Sequence, residues 1–205
     1  MKETEILNEL CAHGICVVHN YWSKALCTEA LREISELDQS HFSIGQGGDR
    51  RCGTADQLLP TARDFKRDSF IQSIANSYSS CNDARRTQLG IVTHSPSKEI
   101  DSGGGWHVDS QGSPQFKSFI YLSDVTATNG PFTIIKASKE KAKNLPTYSN
   151  LRIEEDIINQ ELSSHDIYEI TGEAGTCILA DTTNIHRGKQ ISEGMRYTYT
   201  TYFYN

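Results

Sequence analysis

The chain has 205 residues, 37% hydrophobic and 22% charged, as expected of one soluble globular domain spanning 1–205 with length for a full core. A formal net charge of −6 argues against a nucleic-acid partner. The apolar runs, such as Thr176–Ala180, are too short to cross a bilayer, so no membrane partner is expected. The polar N-terminus Met1–Glu5 leads into no signal-type apolar stretch, and the expected location is cytoplasmic. Six cysteines stand at 11, 16, 27, 52, 81 and 177, none in C-x-x-C spacing. They read as free thiols, several of them buried, with Cys52 exposed in a polar stretch.

Ile6, Leu7 and Leu10 recur at helical spacing over Glu3–Ala12, and Gly14 offers a left-handed cap. Ile15–His19 reads as a strand. Ser23 is a suitable N-cap for a helix over Lys24–Leu37 with Leu26, Ala30, Ile34 and Leu37 on its apolar face. Gln39–Thr61 is polar and rich in glycine, and reads as a long loop; with Arg50, Arg51 and Arg63 it is a candidate lid. Asp68–Tyr78 is a further helix. After Asn82 the period changes from 3.6 to 2, with strands expected over Thr87–His94, Gln115–Leu122, Phe132–Lys136, Asp166–Ile170, Cys177–Asp181 and Arg196–Tyr204. Asn129-Gly130-Pro131 marks a turn. Lys139–Gln160 reads as an insertion, with a helix over Ile153–Leu162. The lysines within 136–143 read as a solvated face. Helices followed by many short strands point to an antiparallel sandwich or barrel decorated by helices.

The chemistry concentrates in Trp106-His107-Val108-Asp109, followed by Ile185-His186 and, ten residues on, Arg196. Strand alternation puts His107 and Asp109 on one side, where His186 can complete a three-ligand set on one face of a metal. Two histidines and one carboxylate with open positions suit non-haem iron(II). An arginine at 196 suits the carboxylate of a cosubstrate. If Arg196 points inward, so do Thr198, Thr200 and Tyr202, while Tyr197, Tyr199 and Phe203 face the other way. His94 ends a strand that precedes the glycine-rich approach Ser102–Gly105, and is a candidate contact in the same cavity. His13, His19, His41 and His165 read as surface or capping residues. Both ligand imidazoles must be neutral, so metal affinity is expected to fall below about pH 6. A metal- or small-molecule-binding jelly roll without oxygenase activity, or a cupin-like isomerase, is the competing reading; neither needs a cationic clamp at Arg196.

These segments together resemble the phytanoyl-CoA dioxygenase family of iron(II)/2-oxoglutarate-dependent oxygenases. The resemblance runs through Leu10–Val18, Gly104–Ser110, Tyr121–Val125, Asn129–Phe132, Gly172–Thr176, and Ile185–Gly188 through Arg196. It implies a double-stranded β-helix, a jelly-roll barrel with N-terminal helices. It further implies His107, Asp109 and His186 as iron(II) ligands, and Arg196 as the clamp on the distal carboxylate of 2-oxoglutarate. Thr198 would add a hydrogen bond, and His94 would contact the other end of that cosubstrate. Dioxygen would be the second cosubstrate. A carboxylate at Asp109 favours hydroxylation or desaturation over halogenation, since related halogenases carry a small residue there. Where relatives often have Pro-Gly-Ser-His, this chain has Lys136-Ala137-Ser138-Lys139, so phytanoyl-CoA is not inferred as the substrate. A small polar substrate, such as a sugar, natural product or amino-acid derivative, is expected.

Overall fold

The computed structural model describes residues 1–45, 48–81, 83–93, 104–111 and 115–204. In chain order these form α1 (Glu3–His13), β1 (Ile15–Val18), α2 (Lys24–Ser35), β2 (Ser43–Ile44), β3 (Arg50–Cys52), α3 (Ala55–Leu58), α4 (Pro60–Lys66) and α5 (Ser69–Ser79). There follow β4 (Arg86–Thr93), β5 (Phe116–Tyr121), β6 (Phe132–Ile135), α6 (Lys139–Ala142), α7 (Glu155–Glu161), β7 (Ile167–Ile170), β8 (Cys177–Asp181), β9 (His186–Gly188) and β10 (Met195–Phe203). A seven-stranded sheet runs β1-β8-β5-β10-β4-β3-β2, and a three-stranded sheet runs β7-β6-β9; every named pairing is antiparallel. This is the mostly-β architecture expected, a double-stranded β-helix with helices packed against it.

Strand alternation sorts side chains into two compartments. On β4, β5, β8 and β10 the outward residues Leu89, Ile91, Phe116, Ile120, Cys177, Leu179, Tyr199 and Phe203 pack under the helices with Ile6, Leu10, Cys27, Ile34, Phe65 and Ile74. Trp22 meets Phe65 edge-on at 5.5 Å and Tyr199 at 6.3 Å, which ties the loop before α2 to this layer. Ile178 and Ala180 of β8 and Tyr121 of β5 face the other way and meet Phe132, Ile134 and Ile170 of the small sheet. Both faces of β8 are covered, which is why Cys177–Ala180 is an unbroken apolar run. A third cluster joins Trp106 and Val108 to Ile135, Ile153, Ile158 and Ile185.

The helix starts follow their caps. Ser23 accepts from the Leu26 N–H, and Asp68 accepts from the Phe70 and Ile71 N–H groups. Gly14 closes α1 at φ 74°, in the left-handed region.

Four expectations are corrected. The segment 39–61 is not one long loop: in its described part it carries β2, β3 and α3, and β3 pairs with β4 as an extension of the main sheet. Two strands of two and three residues are too short to show a period. Cys52 is buried rather than exposed, because it lies opposite Leu89 on the helix-covered face. On α2 Ala30 and Ile34 are buried as expected, but Cys27 takes the place of Leu26, which is exposed. His107–Asp109 is not a ladder strand: His107 makes isolated bridges to His186 and Arg152, and the chain bends immediately after.

Candidate metal and cosubstrate site

His107 and His186 are held to each other through their backbones. The His107 N–H donates to the His186 carbonyl at 3.0 Å, and the His186 N–H returns the bond at 2.9 Å. The Asp109 N–H donates to the Thr182 carbonyl at 3.0 Å, just beyond β8. On its other side the segment is pinned by the Leu151 carbonyl, which accepts from Val108, and by Ile153, which donates to Trp106. Burial of Trp106 and Val108 in the third apolar cluster supplies the anchor, so the polar residues of the tetrapeptide turn the opposite way.

The three side chains converge. One ligand atom from each of His107, Asp109 and His186 lies within 4.8 Å of the others. His186 Nε2 stands 3.5 Å from Asp109 Oδ2; adjacent ligands of an octahedral ion with bonds of about 2.1 Å stand about 3 Å apart. His107 Nδ1 is 2.9 Å from the Gly105 carbonyl, and His186 Nδ1 is 2.9 Å from the Asn184 carbonyl. A carbonyl only accepts, so each Nδ1 carries the proton and each Nε2 presents a lone pair.

The electrostatics suit the same role. Burial lowers the pKa of both imidazoles, for His186 with the added effect of His107 beside it. Burial pushes the Asp109 carboxyl upward, but Lys117, His186 and a hydrogen bond from Thr182 together outweigh it and hold the group well below the usual carboxylate range. Two neutral nitrogen donors and one anionic oxygen donor are therefore available near neutral pH, the donor set that non-haem iron(II) takes. The lowered imidazole pKa values predict that metal affinity persists to lower pH than for ordinary imidazoles.

His107 and His186 open on a cavity of about 130 Å³ between the two sheets. Its wall includes Gln88, Gly90 and Val92 of β4, Lys117, Phe119 and Tyr121 of β5, and Arg196, Thr198, Thr200 and Tyr202 of β10. The expected alternation along β10 holds in the packing, with Tyr199 and Phe203 in the opposite layer. Arg196 Nη1 and Thr198 Oγ1 are buried and have no hydrogen-bond partner among the described residues. Burial lowers the Arg196 pKa, yet a guanidinium stays protonated. His94 lies outside the described residues.

Sequence reasoning missed the part that several residues play in or beside the cavity. Lys117 Nζ is 2.5 Å from Asp109 Oδ2; its signal was a lone charge in the apolar run Phe116–Tyr121. Arg51, singled out as part of a lid, lines the cavity from β3 together with the Asp49 carboxylate it pairs with. Asn184 gave no signal, because its contribution to His186 is a backbone carbonyl. The lysines of 136–143 do not line the cavity: Lys139 pairs with Asp181 at 3.4 Å, Lys143 with Glu140 at 2.7 Å, and Lys136 lies over the Tyr168 ring.

Comparison with known proteins gives many solved structures of similar fold, among them these three. HygX from Streptomyces hygroscopicus, with nickel, 2-oxoglutarate and hygromycin B bound, is 13% identical with a TM-score of 0.70, over 98% of this chain and 86% of that one. The α-ketoglutarate-dependent carbocyclase SnoK of nogalamycin biosynthesis is 14% identical with a TM-score of 0.75, over 98% and 83%. The epimerase SnoN, in complex with Fe3+, α-ketoglutarate and nogalamycin RO, is 14% identical with a TM-score of 0.70, over 99% and 83%. No curated protein matches the chain in sequence. The family model described as phytanoyl-CoA dioxygenase matches residues 10–198, nearly the whole chain. With this fold and this extent of match, the chain belongs to the phytanoyl-CoA dioxygenase family of oxygenase-type enzymes.

Proposed function

We propose that the protein, acting as one unit over residues 1–205, is an iron(II)- and 2-oxoglutarate-dependent oxygenase that hydroxylates a small polar molecule. The observation that carries this reading is the meeting of two kinds of group in one cavity. One is a neutral imidazole pair with the Asp109 carboxylate beside it; the other is Arg196 Nη1 and Thr198 Oγ1, which have no hydrogen-bond partner among the described residues. The first set fits iron(II) with positions left open. The second fits a carboxylate that completes hydrogen bonds otherwise left unmade at a cost of about 1–3 kcal/mol per group.

In this reading His107, Asp109 and His186 hold the iron, and the Asn184 and Gly105 carbonyls keep both rings in the productive tautomer. Arg196 and Thr198 orient the distal carboxylate of 2-oxoglutarate. Bound iron(II) and 2-oxoglutarate supply the oxidising equivalent by activating dioxygen, with succinate and carbon dioxide as coproducts. Phe119, Phe132 and Tyr121 give the cavity its apolar wall; the Tyr121 hydroxyl is already engaged, donating to the Ile170 carbonyl and accepting from the Phe132 N–H.

The test is turnover under 18O2 with iron(II) and 2-oxoglutarate across a panel of small sugars, natural products and amino-acid derivatives. Succinate formed in step with a product carrying one labelled hydroxyl oxygen is the expected result. Succinate coupled to an unlabelled, ring-closed or epimerised product would replace hydroxylation by a rearrangement of the kind the two nogalamycin enzymes are named for. Absence of succinate with folded, iron-loaded protein would contradict the oxygenase reading.

A further inference from the structure

The cavity holds a cation that is neither an iron ligand nor part of the cosubstrate clamp, although it neighbours the ligand Asp109. Lys117 is 9% exposed, in the middle of the main sheet. Among the described residues its charged head meets two groups: Asp109 Oδ2 at 2.5 Å and the face of Tyr202, 4.7 Å from the ring centroid. A lysine is seldom buried this deeply, because desolvating its ammonium costs free energy that an apolar side chain of the same length would not. Packing alone would favour methionine or leucine here, as at the neighbouring inward positions Phe119 and Tyr121.

The strand register keeps Lys117 apart from the Arg196 clamp. Lys117 is the Cα partner of Tyr202 on β10. Arg196 lies six residues earlier on the same strand, about 20 Å away at about 3.3 Å per residue. The two cations thus enter the cavity from different stretches of its wall, Arg196 beside Thr198 and Lys117 beside the ligand triad.

Charge balance says what Lys117 lacks. Among the described residues of the cavity and triad, Arg51, Lys117 and Arg196 are set against the carboxylates of Asp49 and Asp109, leaving one positive charge. A divalent metal and a doubly charged 2-oxoglutarate cancel each other and leave that excess in place. Once Asp109 serves a metal, Lys117 faces a dication across a shared carboxylate and is under-neutralised in a low-dielectric site. A single negative charge on the organic substrate restores the balance.

We propose that Lys117 anchors a carboxylate of the primary substrate, which makes the substrate class small organic acids. This rests on the iron and 2-oxoglutarate reading of the same site. The ammonium donates to the substrate carboxylate beside Asp109, with the Tyr202 ring face against its other side. Specificity then follows from charge: a neutral analogue leaves the buried ammonium without its partner.

The experiment uses protein loaded with iron(II) and 2-oxoglutarate under anaerobic conditions. Benzoate, phenylacetate and hexanoate are each titrated against their primary amides by calorimetry and by perturbation of the visible metal-to-2-oxoglutarate band. Wild type is expected to bind at least one acid about tenfold or more tightly than its amide, the scale of one charge-assisted hydrogen bond. Lys117→Met is expected to lose that preference while still forming the band, and Lys117→Arg to keep it. Acids and amides that behave alike in wild type, whether both bind or neither does, would overturn the proposal. So would a preference that survives in Lys117→Met, or a band that disappears in that variant, which would assign Lys117 to Asp109 or the cosubstrate instead. A wild type that forms no band before any acid is added brings down the iron and 2-oxoglutarate reading itself, and this proposal with it.

Discussion

An imidazole whose Nδ1–H already donates to a backbone carbonyl has one nitrogen left to offer, and in both His107 and His186 that nitrogen points toward Asp109's side of the site. Burial keeps both rings neutral, which sets the pH behaviour. As pH falls below about 6.5 the unfolded chain takes up protons at these positions while the folded site resists them. Stability contributed by the neutral rings is therefore complete above that pH and is lost progressively below it. Metal binding follows the folded pKa values, so nickel(II) affinity measured by calorimetry is expected to change less than about threefold between pH 7.5 and 6.0. Two ordinary imidazoles would lose more than about tenfold over that range, and such a loss would contradict the burial effect. Arg196 is the second residue with a direct consequence. Truncation to alanine is expected to weaken 2-oxoglutarate binding by about 2–5 kcal/mol, read as the rise in its Kd with nickel(II) in place. An unchanged Kd would remove Arg196 from the cosubstrate site. The order His107, Asp109, His186, Arg196 was legible because each residue type has its own chemical reason. Lys117 and Asn184 were not, since a lone strand lysine and a backbone carbonyl carry no motif.

Elements position these residues through a few close approaches. Gly14 ends α1 at φ 74°, and a Cβ there would overlap the Asn184 side chain. Asn184 in turn supplies the carbonyl to His186 Nδ1, and its own amide donates to the Asp181 carbonyl at the end of β8. Gly14→Ala therefore combines backbone strain with displacement of the residue that orients a ligand. Its expected cost is about 1–3 kcal/mol of stability, measured by chemical denaturation, with a parallel loss of nickel(II) affinity. A variant with normal stability and affinity would break the link between the α1 cap and the site. Sequence periodicity recovered α1, α2, α5, β4, β5, β8 and β10, all long or strongly patterned, to within one or two residues. It did not recover β2, β3 or β9, which have two or three residues and are fixed by pairing with a neighbour rather than by pattern, nor the short helices α3, α4 and α6.

At the scale of the whole molecule, two antiparallel sheets enclose the cavity, and the helical layer covers the outer face of the larger one. That division explains why β10 carries large side chains on both faces: Tyr199 and Phe203 serve the helical core, while Arg196, Thr198 and Tyr202 serve the cavity. Fold class was readable from the change of period after Asn82. The backbone bridges that hold His107 to His186 were not, because they join segments far apart in sequence. The most direct test of the site is to mix the protein with iron(II) and 2-oxoglutarate without oxygen and follow the visible metal-to-ligand band. Wild type is expected to form the band and Asp109→Ala and His186→Ala to lose it while remaining folded. No band in folded wild type, or an undiminished band in both variants, would contradict the assignment of His107, Asp109 and His186 as the iron ligands.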